Sequence, residues 1–140
     1  DDTTIMPRVL EAEYLLSSTG ILTGGPSGTS NGMAMRANES VRGYVIYGPD
    51  VPLYIPGVYK ARFRIAALNN AMTDEIARIE VVEGSKVLAG MGIKGTDFPK
   101  SSEYGDFYLQ FKTEGKSDVQ YRVYFEKGDG LWVDFIEVVR

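Results

Sequence analysis

The chain has no cysteine and no histidine in its 140 residues. The first absence rules out disulfides and thiolate chemistry. The second removes the usual general base and the commonest transition-metal ligand. A Ser-His-Asp hydrolase is therefore excluded within this chain. Any bound metal should be a hard, oxygen-preferring ion such as calcium. No apolar run approaches the length of a membrane span, and no basic segment followed by an apolar one marks a signal peptide. The stretch reads as a mature fragment, or as a module of something longer. A net charge of -4 argues against nucleic acid as a partner.

What is present is an ordinary globular composition, 44% hydrophobic, long enough for one domain (1–140) with a real core. Short segments alternate apolar and polar residues, and turn signals separate them. Gly57 to Leu68 is the cleanest: Tyr59, Ala61, Phe63, Ile65 and Ala67 alternate with Lys60, Arg62, Arg64 and Ala66. Ile76 to Val82, Phe107 to Thr113 and Val119 to Glu126 repeat the scheme. Residues 72–82 also admit a helical reading, but β-branched content and the Glu83-Gly84-Ser85 turn favour a hairpin. The Gly-rich stretch 24–32 is a long loop, expected at one end of the fold. Residues 95–106 form a second, polar loop. About nine or ten short strands without a convincing helix indicate an all-β sandwich or barrel. Asn38-Glu39-Ser40 matches a glycosylation sequon, a weak signal by itself.

The last stretch, Gly130 to Arg140, reads as a strand with one misplaced residue. Simple alternation puts Leu131, Val133 and Phe135 on one face and Trp132, Asp134, Ile136 and Val138 on the other. Both faces are apolar, as in a central strand covered on both sides. A bare carboxylate in that phase is costly, so Asp134 needs a partner, a metal ion or a set of hydrogen bonds. The strand candidate Arg8 to Leu16 carries Glu11 and Glu13 on one side. The termini are expected to pair, gathering Glu11, Glu13 and Asp134 round a cation. The plain alternative is pairing with Arg or Lys, or contact with solvent.

Three motifs together resemble a known pattern: Glu11-Ala12-Glu13 at the start, Pro56-Gly57-Val58-Tyr59 leading to Arg64 in the middle, and Val133-Asp134-Phe135-Ile136 at the end. The chain is similar to the carbohydrate-binding modules of families 6 and 35. The resemblance spans nearly the whole chain and implies a jelly-roll β-sandwich of the galactose-binding-like kind. It also implies a structural calcium on Glu11, Glu13 and Asp134. In that family an aromatic residue in the end loops stacks on a sugar ring. Tyr104 matches the platform and Phe107 the core residue that starts the next strand. The family's asparagine two residues before the closing aspartate is replaced here by Trp132, either a second stacking surface or a cap over the core. Asp129, Asn31 and Asn69 are loop residues able to supply hydrogen bonds.

A second surface is visible without any resemblance. Lys60, Arg62 and Arg64, then Tyr108, Gln110 and Lys112, then Gln120, Arg122 and Tyr124 lie on outward faces of three strands. If those strands are neighbours, they form one cationic, tyrosine-bearing face suited to an acidic polysaccharide. The plain alternative is a solvated face with ion pairs among Arg78, Glu80 and Glu126. The resulting expectation is a non-catalytic module, secreted or at a cell surface, within a larger multidomain protein. Its partner is a poly- or oligosaccharide, with neither nucleic acid nor membrane involved. The alternative is a structural or adhesive β-sandwich that binds protein. No motif supports a two-carboxylate glycosidase.

Overall fold

The computed structural model describes residues 8–38, 41–48, 51–53 and 55–140. Asp1 to Pro7, and Glu39 and Ser40 of the sequon, lie outside them. Apart from 3-10 turns, the described chain is built of strands. They are β1 (Arg8–Glu11), β2 (Gly20–Thr23), β3 (Ala34–Asn38), β4 (Gly43–Tyr47), β5 (Val51–Pro52), β6 (Gly57–Ala67), β7 (Glu75–Glu83), β8 (Lys86–Lys94), β9 (Tyr104–Thr113), β10 (Asp118–Phe125) and β11 (Gly130–Val139). The two-residue β5 is the element that carries the number past nine or ten.

The strands form two antiparallel sheets. One runs β2-β3-β11-β6-β9, with β1 also on β11; the other runs β4-β10-β7-β8, with β5 also on β10. The termini pair as expected: Arg8 faces Val138 and Glu11 faces Phe135. The core lies between the sheets because alternate residues of each strand point inward. Tyr59, Phe63 and Ile65 of β6 are buried, as are Val119, Tyr121, Val123 and Phe125 of β10. Phe111 of β9 joins the sheets, stacked on Tyr59 at 5.8 Å and edge-on to Tyr121 at 6.1 Å. The segment open to a helical reading is strand β7. This is the all-β jelly-roll sandwich of the sequence reading.

Three local expectations change. First, β1 stops at Glu11, and a 3-10 turn takes Ala12–Tyr14. Ala12 is fully buried there, so the turn is pinned by packing. Second, β11 does not alternate through its whole length. Its register against β6 jumps from Val133↔Ile65 to Phe135↔Arg64, which makes Asp134 the extra residue of a β-bulge. The bulge resets the phase. Leu131, Val133, Ile136 and Val138 are buried, whereas Trp132, Phe135 and Glu137 are half-buried on the outer face. One side of the strand faces the core, and the other is half-buried. Third, β10 belongs to the opposite sheet from β6 and β9. The proposed three-strand cationic face therefore does not exist. Only β6 and β9 share it, and Arg122 stands on the far side of the sandwich.

Candidate functional site

The outer face of the β11-containing sheet brings several singled-out residues together. Trp132 pairs with Arg36 on one side and Ala66 on the other, and Ala66 pairs with Tyr104. Four adjacent strands thus set Arg36, Trp132, Ala66 and Tyr104 in a row. Ala66, the smallest of them, is fully covered between the two half-buried aromatics. Each ring has a guanidinium against it. Arg36 lies 5.5 Å from the Trp132 ring centre, and Arg64 lies 4.6 Å from that of Tyr104. Nε of Arg36 is buried without a hydrogen-bond partner. Sequence reading missed Arg36, because one cation in the short strand Ala34–Asn38 carries no pattern.

Tyr104 opens β9 and is not a loop residue. Its hydroxyl lies 2.7 Å from Oγ1 of Thr29. Burial, more than any nearby charge, pushes its pKa up to about 12, so it stays a neutral O–H group. Phe107 is a core residue, edge-on to Phe98 at 5.0 Å.

The contact with Thr29 relocates the glycine-rich loop. It does not sit at an end of the sandwich; it folds across the outer face of the sheet. Arg64 donates from Nη2 to the carbonyl of Gly28 at 3.2 Å. The loop then makes a 3-10 turn over Ser30–Gly32, with Asn31 in the left-handed region at φ 56°. Asn31 is exposed on this turn.

Beneath the turn lie the acidic residues. Asp134 is fully buried. Its two carboxylate oxygens accept the Ser30 N–H at 3.0 and 3.1 Å, and Oδ2 also accepts Arg64 Nε at 3.0 Å. Ser30 Oγ donates to Glu11 Oε2 at 2.9 Å. The other oxygen of Glu11 and Oε1 of Glu13 are buried with no hydrogen-bond partner. Burial raises the pKa of Glu11, and the charges of Glu13 and Asp134 raise it further. Burial also raises Asp134, against the opposing effects of Ser30 and Arg64. Two idle oxygens in a mutually repelling acidic group suit a hard cation. Among the described residues, no group of three or more acidic side chains is placed to hold a metal ion.

The remaining singled-out residues lie elsewhere. Asn69 Nδ2 donates to Asp129 Oδ2 at 3.1 Å, so each occupies part of the other's polar capacity at the end of the sandwich. Arg62 is held by Glu137 and Asp106, both at 3.1 Å, and sits 4.9 Å from the Phe135 ring centre. Arg122 stacks near Tyr44 at 5.6 Å in the opposite sheet. Arg78 pairs with Glu80 at 3.1 Å within its own strand, whereas Glu126 meets Glu75. A cleft of about 620 Å³ is lined by Arg42, Asp74, Glu75, Glu126 and Lys127. That lining contains no aromatic platform, so the row from Arg36 to Tyr104 is the stronger candidate for a sugar.

No protein-family profile and no curated protein matches the chain. Solved structures do. A family 35 carbohydrate-binding module from Clostridium thermocellum is 20% identical, with 96% of this chain and 98% of that one covered at a TM-score of 0.74. A family 6 module from Cellvibrio mixtus lichenase 5A, solved with cellotriose, is 14% identical, with 97% and 98% covered at 0.69. The GH26-CBM35 β-(1,4)-mannanase of Podospora anserina is 13% identical, with 95% of this chain covered but only 27% of that one, at 0.66. The chain therefore has the β-sandwich fold of the family 6 and family 35 carbohydrate-binding modules.

Proposed function

We propose that the protein is a non-catalytic carbohydrate-binding module whose site is the row Arg36, Trp132, Ala66 and Tyr104. One observation carries the proposal: two half-buried aromatics flank a small residue on the outer sheet face, each with a guanidinium beside it. Such a surface offers apolar ring faces to sugar C–H groups and N–H donors to their hydroxyls. The guanidinium of Arg36, on a half-buried side chain beside Trp132, would supply N–H donors to a ligand. Arg64 flanks the site from the second row. Asn31 stands on the loop that crosses this face; Asn69 and Asp129, bonded to each other, lie apart from the row, and Arg62 lies farther along β6, paired across to Tyr108.

Glu11, Glu13 and Asp134 would hold a structural calcium. Their chemistry fits, since every donor is a hard oxygen and two of those oxygens are unused. The ion would neutralise the three acids and tie β1, β11 and the 24–33 loop together. The module would keep an attached secreted enzyme or surface protein close to a polysaccharide, as part of a larger chain.

A second reading, an adhesive domain that binds protein, is favoured by the exposed apolar residues Tyr14 (78%), Leu16 (54%) and Leu22 (53%). The two are separated by a glycan array that spans neutral plant polysaccharides and uronic-acid polymers, run in calcium and again in chelator. Binding to any class, lost in Trp132→Ala, supports the module. Silence from a folded protein favours the adhesive reading.

A further inference from the structure

The acidic group and the aromatic row are joined by three consecutive residues. Ser30 binds Asp134 through its N–H and Glu11 through its hydroxyl. Thr29, its neighbour, meets the Tyr104 hydroxyl at 2.7 Å. Gly28, one residue earlier, accepts Arg64, whose Nε holds Asp134 and whose guanidinium lies against the Tyr104 ring. The path is a closed loop: Asp134 to Ser30 to Thr29 to Tyr104, and back through Arg64.

Space along the loop is tightest at Gly25. A Cβ on Gly28 would only touch Arg64 Nη2, at 3.4 Å. One on Gly25, which lies at φ 69°, would stand 2.5 Å from Thr29 Oγ1 and 3.1 Å from the Tyr104 hydroxyl. The strap is thus fitted closely to the ring it holds, and small movements at Ser30 reach Tyr104.

We infer that Thr29 and Arg64 are positioning residues, through which a cation at Glu11, Glu13 and Asp134 sets the pose of the Tyr104 ring. The inference rests on the calcium site proposed above. The strap is where the two sites meet. Asp134 and Glu11, which hold Ser30, are the same groups that would hold the ion. With the acids neutralised, their grip on Ser30 and on Arg64 changes, and Tyr104 is bound to both. Linkage makes the effect reciprocal: whatever fixes Tyr104 tightens the cation by the same factor, about 5- to 150-fold for couplings of ordinary size.

The test uses the whole chain with ring-labelled tyrosine, titrated with calcium chloride. Calorimetry reads cation binding, and NMR reads the Tyr104 ring, with buried Tyr121 of the opposite sheet as the fixed reference. The expected result is calcium binding, a shifted Tyr104 ring signal and an unmoved Tyr121. Thr29→Val should keep the fold but lose most of the Tyr104 shift, and should weaken calcium at least about fivefold; Thr29→Ser should restore both. Tyr104→Phe, which removes the Thr29 contact but keeps the Thr29 bond to the Pro26 carbonyl, should also weaken calcium if Thr29→Val fails to fold. Calcium binding with an unmoved Tyr104 ring overturns the coupling and leaves the calcium site standing. No heat of calcium binding overturns the calcium site and the coupling with it.

Discussion

Adding calcium to chelator-stripped protein should raise its melting temperature, and the size of the rise follows from the site. Extracellular oxygen sites hold calcium with dissociation constants of about 10⁻⁴ to 10⁻³ M. At about 10 mM calcium, roughly 10 to 100 times those values, mass action stabilises the folded state by about 1.4–2.7 kcal/mol. The unfolding entropy of a 140-residue chain, at about 2.1 cal/mol/K per residue, is about 0.3 kcal/mol/K. The rise is therefore about 5–9 °C, readable by scanning calorimetry or fluorescence. Glu11→Gln gives the sharper control. Burial and the charges of Glu13 and Asp134 disfavour ionised Glu11 in the metal-free fold. A raised folded pKa means that ionising Glu11 costs the metal-free fold stability, so the variant in chelator should melt no lower than the parent. In calcium the order should invert, because the variant has lost a ligand. No calcium-dependent rise in the parent refutes the reasoning. An equal rise in parent and variant refutes the assignment of Glu11.

Trp132→Ala and Tyr104→Ala should each weaken the glycan found on the array by about tenfold or more, about 1.4 kcal/mol. Arg122→Ala, on the far sheet, should leave titration calorimetry with the same glycan unchanged. Glu126 has its pKa raised first by a hydrogen bond with Glu75 and then by burial. The fold therefore keeps a proton that the unfolded chain releases near 4.5, and this part of its stability is lost as pH rises through the folded value. Urea denaturation should show stability declining as pH rises above 4.5, a decline that Glu126→Gln lessens; an unchanged decline counts against the shared proton. Gly130→Ala should cost about 2–4 kcal/mol, or about 7–13 °C. Gly130 sits at φ 121°, and an added Cβ would lie 2.5 Å from the Ala37 carbonyl.

Period-two alternation made most strands legible. β6, β9 and β10 bury the sets Tyr59-Ala61-Phe63-Ile65, Phe107-Leu109-Phe111 and Val119-Tyr121-Val123-Phe125 that the pattern named. Asp134 was legible as an anomaly, and so was the pairing of the termini. What sequence pattern could not carry was non-local. Alternation says which way Arg122 points along β10, but not which sheet holds β10. Nor does it say that residues 28–30 cross a sheet face to reach Tyr104, since that contact spans 75 positions. The bulge was hidden for a different reason. One inserted residue shifts every later side chain by one step, and a strand apolar in both phases conceals the shift. Glu13 lost its strand to a turn fixed by the burial of Ala12, and Arg36 gained its role only from the Trp132 ring opposite it.

The bulge at Asp134 allows a folding role to be separated from the proposed calcium role by experiment. Val133 and Phe135 face consecutive residues of β6, Ile65 and Arg64. Removing Asp134 would therefore leave β11 in unbroken alternation: Leu131, Val133, Ile136 and Val138 inward, Trp132, Phe135 and Glu137 outward. The deletion would also remove a fully buried carboxylate, the kind of group whose burial is expensive without full compensation. Against this stand the Ser30 N–H and Arg64, which lose an acceptor; Arg64 is 26% exposed and can turn to water. If Asp134 were there for folding, its deletion should be severely destabilising. If it serves a site, the deleted protein should fold with a stability within about 2 kcal/mol of the metal-free parent's, yet show no calcium-dependent rise in melting temperature. A protein that fails to fold after the deletion, while Asp134→Asn folds and still responds to calcium, would mean the bulge is architectural and the acid incidental.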